Sequence, residues 1–147
     1  MATSERFMPV SADAVWAALA RAETYGYWVV GSKEIREVEP AWPAPGSRFH
    51  HTVGFGPLKV ADHTESLECS PPRELVMRAK SRPFGTARVA MRMIPTDGGT
   101  LVRMEENPDG LTSLLTLNPA VQLLTGGRNA ESLARLEELA LKEAERA

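Results

Sequence analysis

Ala130-Glu-Ser-Leu133-Ala-Arg-Leu136-Glu-Glu-Leu-Ala140 is the stretch whose reading decides the fold. Ala130, Leu133, Leu136 and Ala140 recur at steps of three and four residues, the spacing that gathers side chains on one face of an α-helix. The helix is expected from about Pro119 to Ala147, capped by Asn118, with Pro119 at the first helical position where its missing N–H costs nothing. One apolar stripe needs one surface to cover. The only large surface upstream is the run of strand-and-turn segments between Lys33 and Glu106, so the helix should lie across a curved antiparallel sheet. What the two fail to fill becomes a cavity. Gly126-Gly127 lowers helix propensity by about 1 kcal/mol per glycine and predicts a kink.

Ahead of the sheet, Glu5 to Met8 reads as a first strand stopped by Pro9. Ser11 is a good N-cap with Asp13 in the first turn, and Val15, Trp16 and Leu19 share the buried face of the helix that follows. Thr24 is placed to cap a second, very short helix through Tyr25 and Tyr27 into Trp28. Lys33 to Val38 forms the next strand, and the prolines of Pro40-Ala-Trp-Pro-Ala-Pro-Gly46 make a stiff connection with few backbone donors. Strands Phe49 to Phe55 and Leu58 to Leu67 meet at Gly56-Pro57. Glu74 to Arg82 follows Pro71-Pro72, Thr86 to Ile94 follows Pro83-Phe84-Gly85, and Asp97-Gly98-Gly99 turns into Leu101 to Glu106. Sequential hairpins make a meander. Asn107-Pro108-Asp109-Gly110 reads as punctuation, and the segment from Asn107 to Leu117, without cap or clean periodicity, reads as a gate more mobile than the sheet.

Composition narrows the function classes. The 147 residues suit a single domain over 1–147, and a formal charge of −2 offers no attraction to nucleic acid or an anionic membrane. The lone Cys69 excludes an internal disulfide and suits a reducing compartment, and no stretch approaches a membrane span, so a cytoplasmic location is expected. There is no Gly-x-Ser-x-Gly elbow, phosphate loop or dinucleotide fingerprint, and no cofactor is expected.

Period-two alternation assigns faces to the later strands. Leu75, Met77 and Ala79 oppose Arg78, Lys80 and Arg82; Val89, Met91 and Met93 oppose Arg88 and Arg92; Val102, Met104 and Glu106 oppose Arg103 and Glu105. The concave face is therefore rich in methionine, a flexible side chain suited both to filling an irregular core and to lining an adaptable pocket. The cationic outer face lacks interleaved aromatics and reads as solvated.

With these elements placed, the chain is similar in order to the helix-grip superfamily (SRPBCC, START-like), which includes lipid-transfer domains and the birch-pollen allergen group. Tyr27-Trp28-Val29-Val30-Gly31, Trp42-Pro-Ala-Pro-Gly46, Phe49-His-His51, Val53-Gly54, Gly56-Pro57-Leu58 and Arg128-Asn129-Ala130-Glu131-Ser132-Leu133 resemble a bacterial, largely actinobacterial, group of polyketide cyclase/dehydrase-like proteins. The resemblance implies an α+β helix-grip fold whose curved antiparallel sheet wraps a long C-terminal helix, with two short helices after the first strand. It also implies binding of a small hydrophobic molecule, and the superfamily holds cyclases, aromatases, hydrolases and lipid carriers on this one scaffold.

His51 alternates with Phe49, Val53 and Phe55, so if those point inward His51 does too and His50 points out. Adjacent histidines on a strand diverge, and with only His63 and Cys69 besides, no metal site is expected. His51 is a candidate general acid or base or a polar anchor, and Glu106, in register with Val102 and Met104, is a candidate proton-exchanging carboxylate. Each has a structural alternative: His51 as a hydrogen-bonded wall histidine, Glu106 as a cap or ion-pair partner for the following turn. Trp28 and Trp42 sit where the chain breaks meet the sheet, and either line a cavity mouth or pack. The candidate ligand contacts are thus Trp28, Trp42, Phe49, His51, Val53, Met77, Met91, Met93 and Met104. Two functions of different class fit: a module binding a lipid- or polyketide-like metabolite, and a cyclase- or aromatase-type enzyme in which His51 and Glu106 move protons.

Overall fold

A computed structural model describes residues 2–30, 32–55, 58–81, 85–109 and 119–146. Its strands are β1 (Ala2–Met8), β2 (Ser32–Val38), β3 (Arg48–Phe55), β4 (Leu58–Ser70), β5 (Glu74–Ser81), β6 (Gly85–Thr96) and β7 (Gly99–Asp109). They form one antiparallel seven-stranded sheet in the order β1-β7-β6-β5-β4-β3-β2. β2 to β7 are therefore the expected meander, and β1 closes it by pairing with the last strand. Register irregularities in β2 and at Ser66/Glu68 on β4 break the pleat where β-bulges add bend and twist.

Between β1 and β2 lie α1 (Ala12–Leu19), a 3₁₀ turn (Ala22–Thr24) and α2 (Tyr25–Trp28). Ser11 caps α1 as its type predicts, accepting the Ala14 N–H at 3.2 Å. Thr24 occupies the cap position of α2 without capping it: the residue already has helical dihedrals, and its hydroxyl instead donates backward to the Arg21 carbonyl at 2.8 Å. α3 (Pro119–Arg146) begins at the expected proline and continues through Gly126-Gly127, where a Cβ on either glycine would meet nothing within 4 Å.

The β6–β7 hairpin shows why glycines stand there. Gly98 takes φ +84°, open to glycine at little cost, and a Cβ on Gly99 would fall 2.2 Å from the Met8 carbonyl oxygen, so β1 and the hairpin close only on a bare α-carbon.

β7 runs further than the punctuation around Pro108 suggests: Asn107, Pro108 and Asp109 pair with Arg88, Ala87 and Thr86. Among the described residues β1 reaches only to Ala2, opposite Glu106, so these three positions have one neighbouring strand there, the setting in which a strand accepts proline. The first part of the expected gate is thus sheet, and Gly110 to Leu117 lies outside the described residues.

One apolar cluster joins all layers, from Met8 and α1 (Val15, Leu19) through Met77, Met91, Met93 and Met104 to Leu133, Leu136 and Ala140. α3 makes its closest backbone approaches to α1, β1 and α2. The buried stripe departs from the apolar pattern: Ala130 is exposed, Asn129 is 1 % exposed in its stead, and Ser132 is buried beside Leu133. Helix geometry explains the exchange, since at 3.6 residues per turn Asn129 falls about 20° from Leu136 around the axis and Ala130 about 120°. A fully buried leucine in such a stripe is costly to truncate. Leu136→Ala should lower unfolding free energy by about 2–5 kcal/mol, whereas Leu141→Ala on the open side should change it by less than about 0.5 kcal/mol, as read by denaturant titration.

Candidate functional site

Residues directly opposite in an antiparallel pair share a face, so the register writes the concave surface out row by row. His51 stands opposite Ile35 and Asp62; Phe49 stands opposite Thr64, which stands opposite Ala79; Ser66, Met77, Val89 and Glu106 form the next row, and Leu75, Met91 and Met104 the one after. The question of which way Asp62 and Thr64 face is settled by this register and by their burial at 5 % and 6 % exposure. The β3–β4 half of the concave face is therefore polar and the β5–β7 half is lined with methionine.

His51 lies at the centre of the polar half. Its Nε2 is 3.0 Å from Thr64 Oγ1, and its ring is 5.8 Å from that of Phe49. Among the described residues no well-aligned hydrogen bond reaches the buried Nδ1, the His63 backbone favouring the ring's charged form without one. Burial pushes the imidazole below its ordinary 6.5; the Asp62 carboxylate and the His63 backbone pull the other way without overcoming it. His51 is held neutral near pH 7, and a neutral ring both donates and accepts. Asp62 accepts the backbone N–H of His63 at 3.0 Å, and His63 Nδ1 lies 3.5 Å from the same oxygen. His50 turns to the other face, its ring against that of His63, so the adjacent histidines diverge as strand geometry requires. Among the described residues no group of His, Cys, Asp and Glu is arranged to hold a metal.

An aromatic column rises from His51 toward the helices. Phe49 meets Tyr25 at 4.8 Å and Trp42 at 4.7 Å, and Tyr25 meets Trp28 at 4.8 Å, each in a tilted or edge-to-face arrangement. Tyr25 donates its hydroxyl to the Leu19 carbonyl at 2.8 Å, and burial drives its phenol far above the ordinary 10.0, so it stays a neutral donor. Trp42 Nε1 reaches the same carbonyl at 3.5 Å. Trp28 Nε1 has no partner among the described residues, and neither has Asn129 Nδ2.

Met77, Met91, Met93 and Met104 are all buried with Trp28, Trp42 and Phe49. The side chain of Val53 lies outside those described. Glu106 is on the concave face, in the row of Met77, but its carboxylate is gripped by Arg128 Nη2 at 2.5 and 2.6 Å. Four strand spacings of about 4.8 Å put β7 roughly 19 Å along the sheet from β3, so no direct contact joins Glu106 to His51. Asp62, Thr64 and Asn129 were legible only jointly with their neighbours: the first two through the His51 register, the last through the helical wheel anchored on Leu136.

Ion pairs run across the outer face, including Arg88–Glu68, Arg92–Glu74 and Arg103–Glu5. Among the described residues no helix is long and apolar enough to cross a membrane.

A curved antiparallel sheet closed by one long helix, with two short helices after the first strand, defines a helix-grip protein, and solved structures of that class match over nearly the whole chain. Protein NE0264 of Nitrosomonas europaea superposes with a TM-score of 0.70 at 20 % identity, over 96 % of this chain and 94 % of that one. Ara h 8.0201 gives 0.72 at 12 % identity, over 95 % and 96 %. The di-domain ARO/CYC StfQ of the steffimycin biosynthetic pathway gives 0.73 at 12 % identity, over 97 % of this chain and 50 % of that one. At such identities the likeness establishes the fold. The chain belongs to the family described as polyketide cyclase / dehydrase and lipid transport, whose model matches residues 2–140. Among functionally curated proteins none matches its sequence significantly.

Burial of neutral histidine has a thermodynamic consequence with a definite sign. The unfolded chain takes up protons at about 6.5 and the folded His51, with its lowered affinity, does not, so stability should rise with pH through this range and fall as pH drops below 6.5. His63 is lowered as well, chiefly by desolvation, and adds to the same slope. His51→Asn should flatten the dependence of melting temperature on pH between about 5 and 7; a slope identical to the parent's would show that His51 does not titrate differently on folding.

Proposed function

We propose that the protein binds a small hydrophobic or aromatic metabolite, lipid- or polyketide-like, between the concave face of the sheet and α3. One observation carries this reading: the polar group of His51, Asp62 and Thr64 is buried on the same face as Met77, Met91 and Met104. A core selected for stability alone gains nothing from a histidine with one nitrogen unpartnered, since a buried polar group without a hydrogen bond costs about 1–3 kcal/mol. A ligand with an apolar body and a polar edge meets both halves of that face. The methionines supply adaptable contact, and the family's association with lipid transport and polyketide chemistry supports the same class of ligand.

The binding reading is tested by filling the interior. Ala79, beside Thr64 and Ala87 on the concave face, is the small residue between the polar and methionine halves. Ala79→Trp should weaken binding of a hydrophobic fluorescent probe by at least about tenfold while leaving cooperative unfolding intact. Undiminished binding by the folded variant would remove the proposed site from this face.

A second reading is supported by the buried neutral state of His51 and by the ARO/CYC proteins among the structural matches. In it the cavity folds a poly-ketone chain and His51 moves a proton during aldol closure and dehydration, with Glu106 acting at the far end of an extended substrate. Arg128 bonds both oxygens of that carboxylate and so fixes its position on the concave face. His51→Ala and Glu106→Gln should then each reduce turnover of a linear poly-ketone by about 10²- to 10⁴-fold with affinity changed by less than about tenfold. Unchanged turnover in both variants would leave the binding module alone.

A further inference from the structure

Two hydrogen-bond donors lie buried without acceptors at the helix end of the aromatic column. Trp28 and Asn129 are each 1 % exposed, and Trp28 Nε1 and Asn129 Nδ2 have no partner among the described residues. Their elements are pinned together: the Val30 N–H, two residues beyond Trp28, donates to Ser132 Oγ at 3.1 Å, and Ser132 lies three residues along α3 from Asn129. Both side chains come from the faces that α2 and α3 turn toward the interior. Indole can only donate, and the amide NH₂ can only donate, so the missing partner is an acceptor. Two donors match the two lone pairs of one carbonyl oxygen.

The charges nearby distinguish a neutral acceptor from an anion. Arg128, adjacent to Asn129, is committed to Glu106 through both carboxylate oxygens, and Arg135 is engaged by Glu131 and the Tyr27 carbonyl. The arginines flanking Asn129 on α3 are thus already paired, and a buried carboxylate without a cation is strongly disfavoured.

We propose that Trp28 and Asn129 form a carbonyl-anchoring subsite, which orients a neutral ketone-bearing aromatic ligand with its oxygen toward α3 and its ring body along Tyr25 and Phe49. The assignment rests on the interior binding site proposed above and adds the chemical class and orientation of what enters it.

Three probes with the same ring and the same number of heavy atoms in the substituent separate the cases: isopropylnaphthalene, acetylnaphthalene and naphthoate, each substituted at the same ring position and titrated calorimetrically near pH 7.5. The parent protein should bind the ketone about tenfold or more tighter than the hydrocarbon, which leaves both donors unpaired, with naphthoate the weakest because its charge would be buried without a cation. Asn129→Leu and Trp28→Phe should each reduce that preference to less than about threefold while hydrocarbon affinity stays within about threefold. Asn129→Asp keeps the side-chain size but replaces the donor by an acceptor, so it should reverse the preference even if the leucine variant folds poorly. Equal binding of ketone and hydrocarbon by the parent, or a preference surviving in the variants, overturns the subsite and leaves the interior site standing. Failure of all three probes to bind overturns the interior site and the subsite together.

Discussion

Docking of α3 through Leu133, Leu136 and Ala140 is the contact on which the rest of the structure depends. A sheet with one polar and one apolar face is unstable until the apolar face is covered, and here the cover is shared between α3 and the short helices it holds down. The apolar stripe supplies the energy, each buried leucine being worth about 1.5–3 kcal/mol relative to exposure. Polar contacts around it set the angle of approach: Arg6 to Glu137, Arg21 to Glu143 and Tyr27 to Glu138 tie α3 to β1, to the end of α1 and to α2. These pairs sit at the rim and are partly solvated, where an ion pair contributes about 1 kcal/mol or less. They choose among ways of docking a helix that the leucines have already committed to burial.

The buried polar groups divide into two kinds. Ser66 is fully engaged, donating from Oγ to the Pro43 carbonyl at 2.8 Å while its backbone bonds Gly46 and Ser47, and so it fastens the proline-rich connection to β4. Thr100 similarly donates to the Val10 carbonyl at 2.8 Å and closes the chain around β1. Such groups repay their desolvation within the fold. His51 Nδ1, Trp28 Nε1 and Asn129 Nδ2, in the layer between sheet and α3, do not, and neither does His63 Nε2 beside His50 on the outer face.

The outer face follows a different rule. Val76 and Ala90 pair across β5 and β6 on that side and are nevertheless buried, flanked by the long side chains of Glu74, Arg88 and Arg92. Arginine and glutamate bond one another across the sheet: Arg92 on β6 pairs with Glu74 on β5 and Glu105 on β7, and Arg88 reaches Glu68 on β4. This leaves the concave side as the chemically distinctive surface.

By itself the sequence determined the element order, the meander and the one-faced helix, because these follow from short-range periods and turn chemistry: Ser11 caps, Gly98 turns, Pro119 begins a helix, and methionines alternate with arginines. It also located His51 on the inner face and Glu106 with the methionines. Tertiary structure alone decided which polar residues meet. Asp62 joins His51 only through the β3–β4 register, Arg128 reaches Glu106 across the gap between helix and sheet, and Asn129 displaces Ala130 because the direction of α3's buried face is set by its neighbours. Local patterning carries the period of an element, whereas the phase of that period against another element is a packing decision, and the candidate site is made of phases.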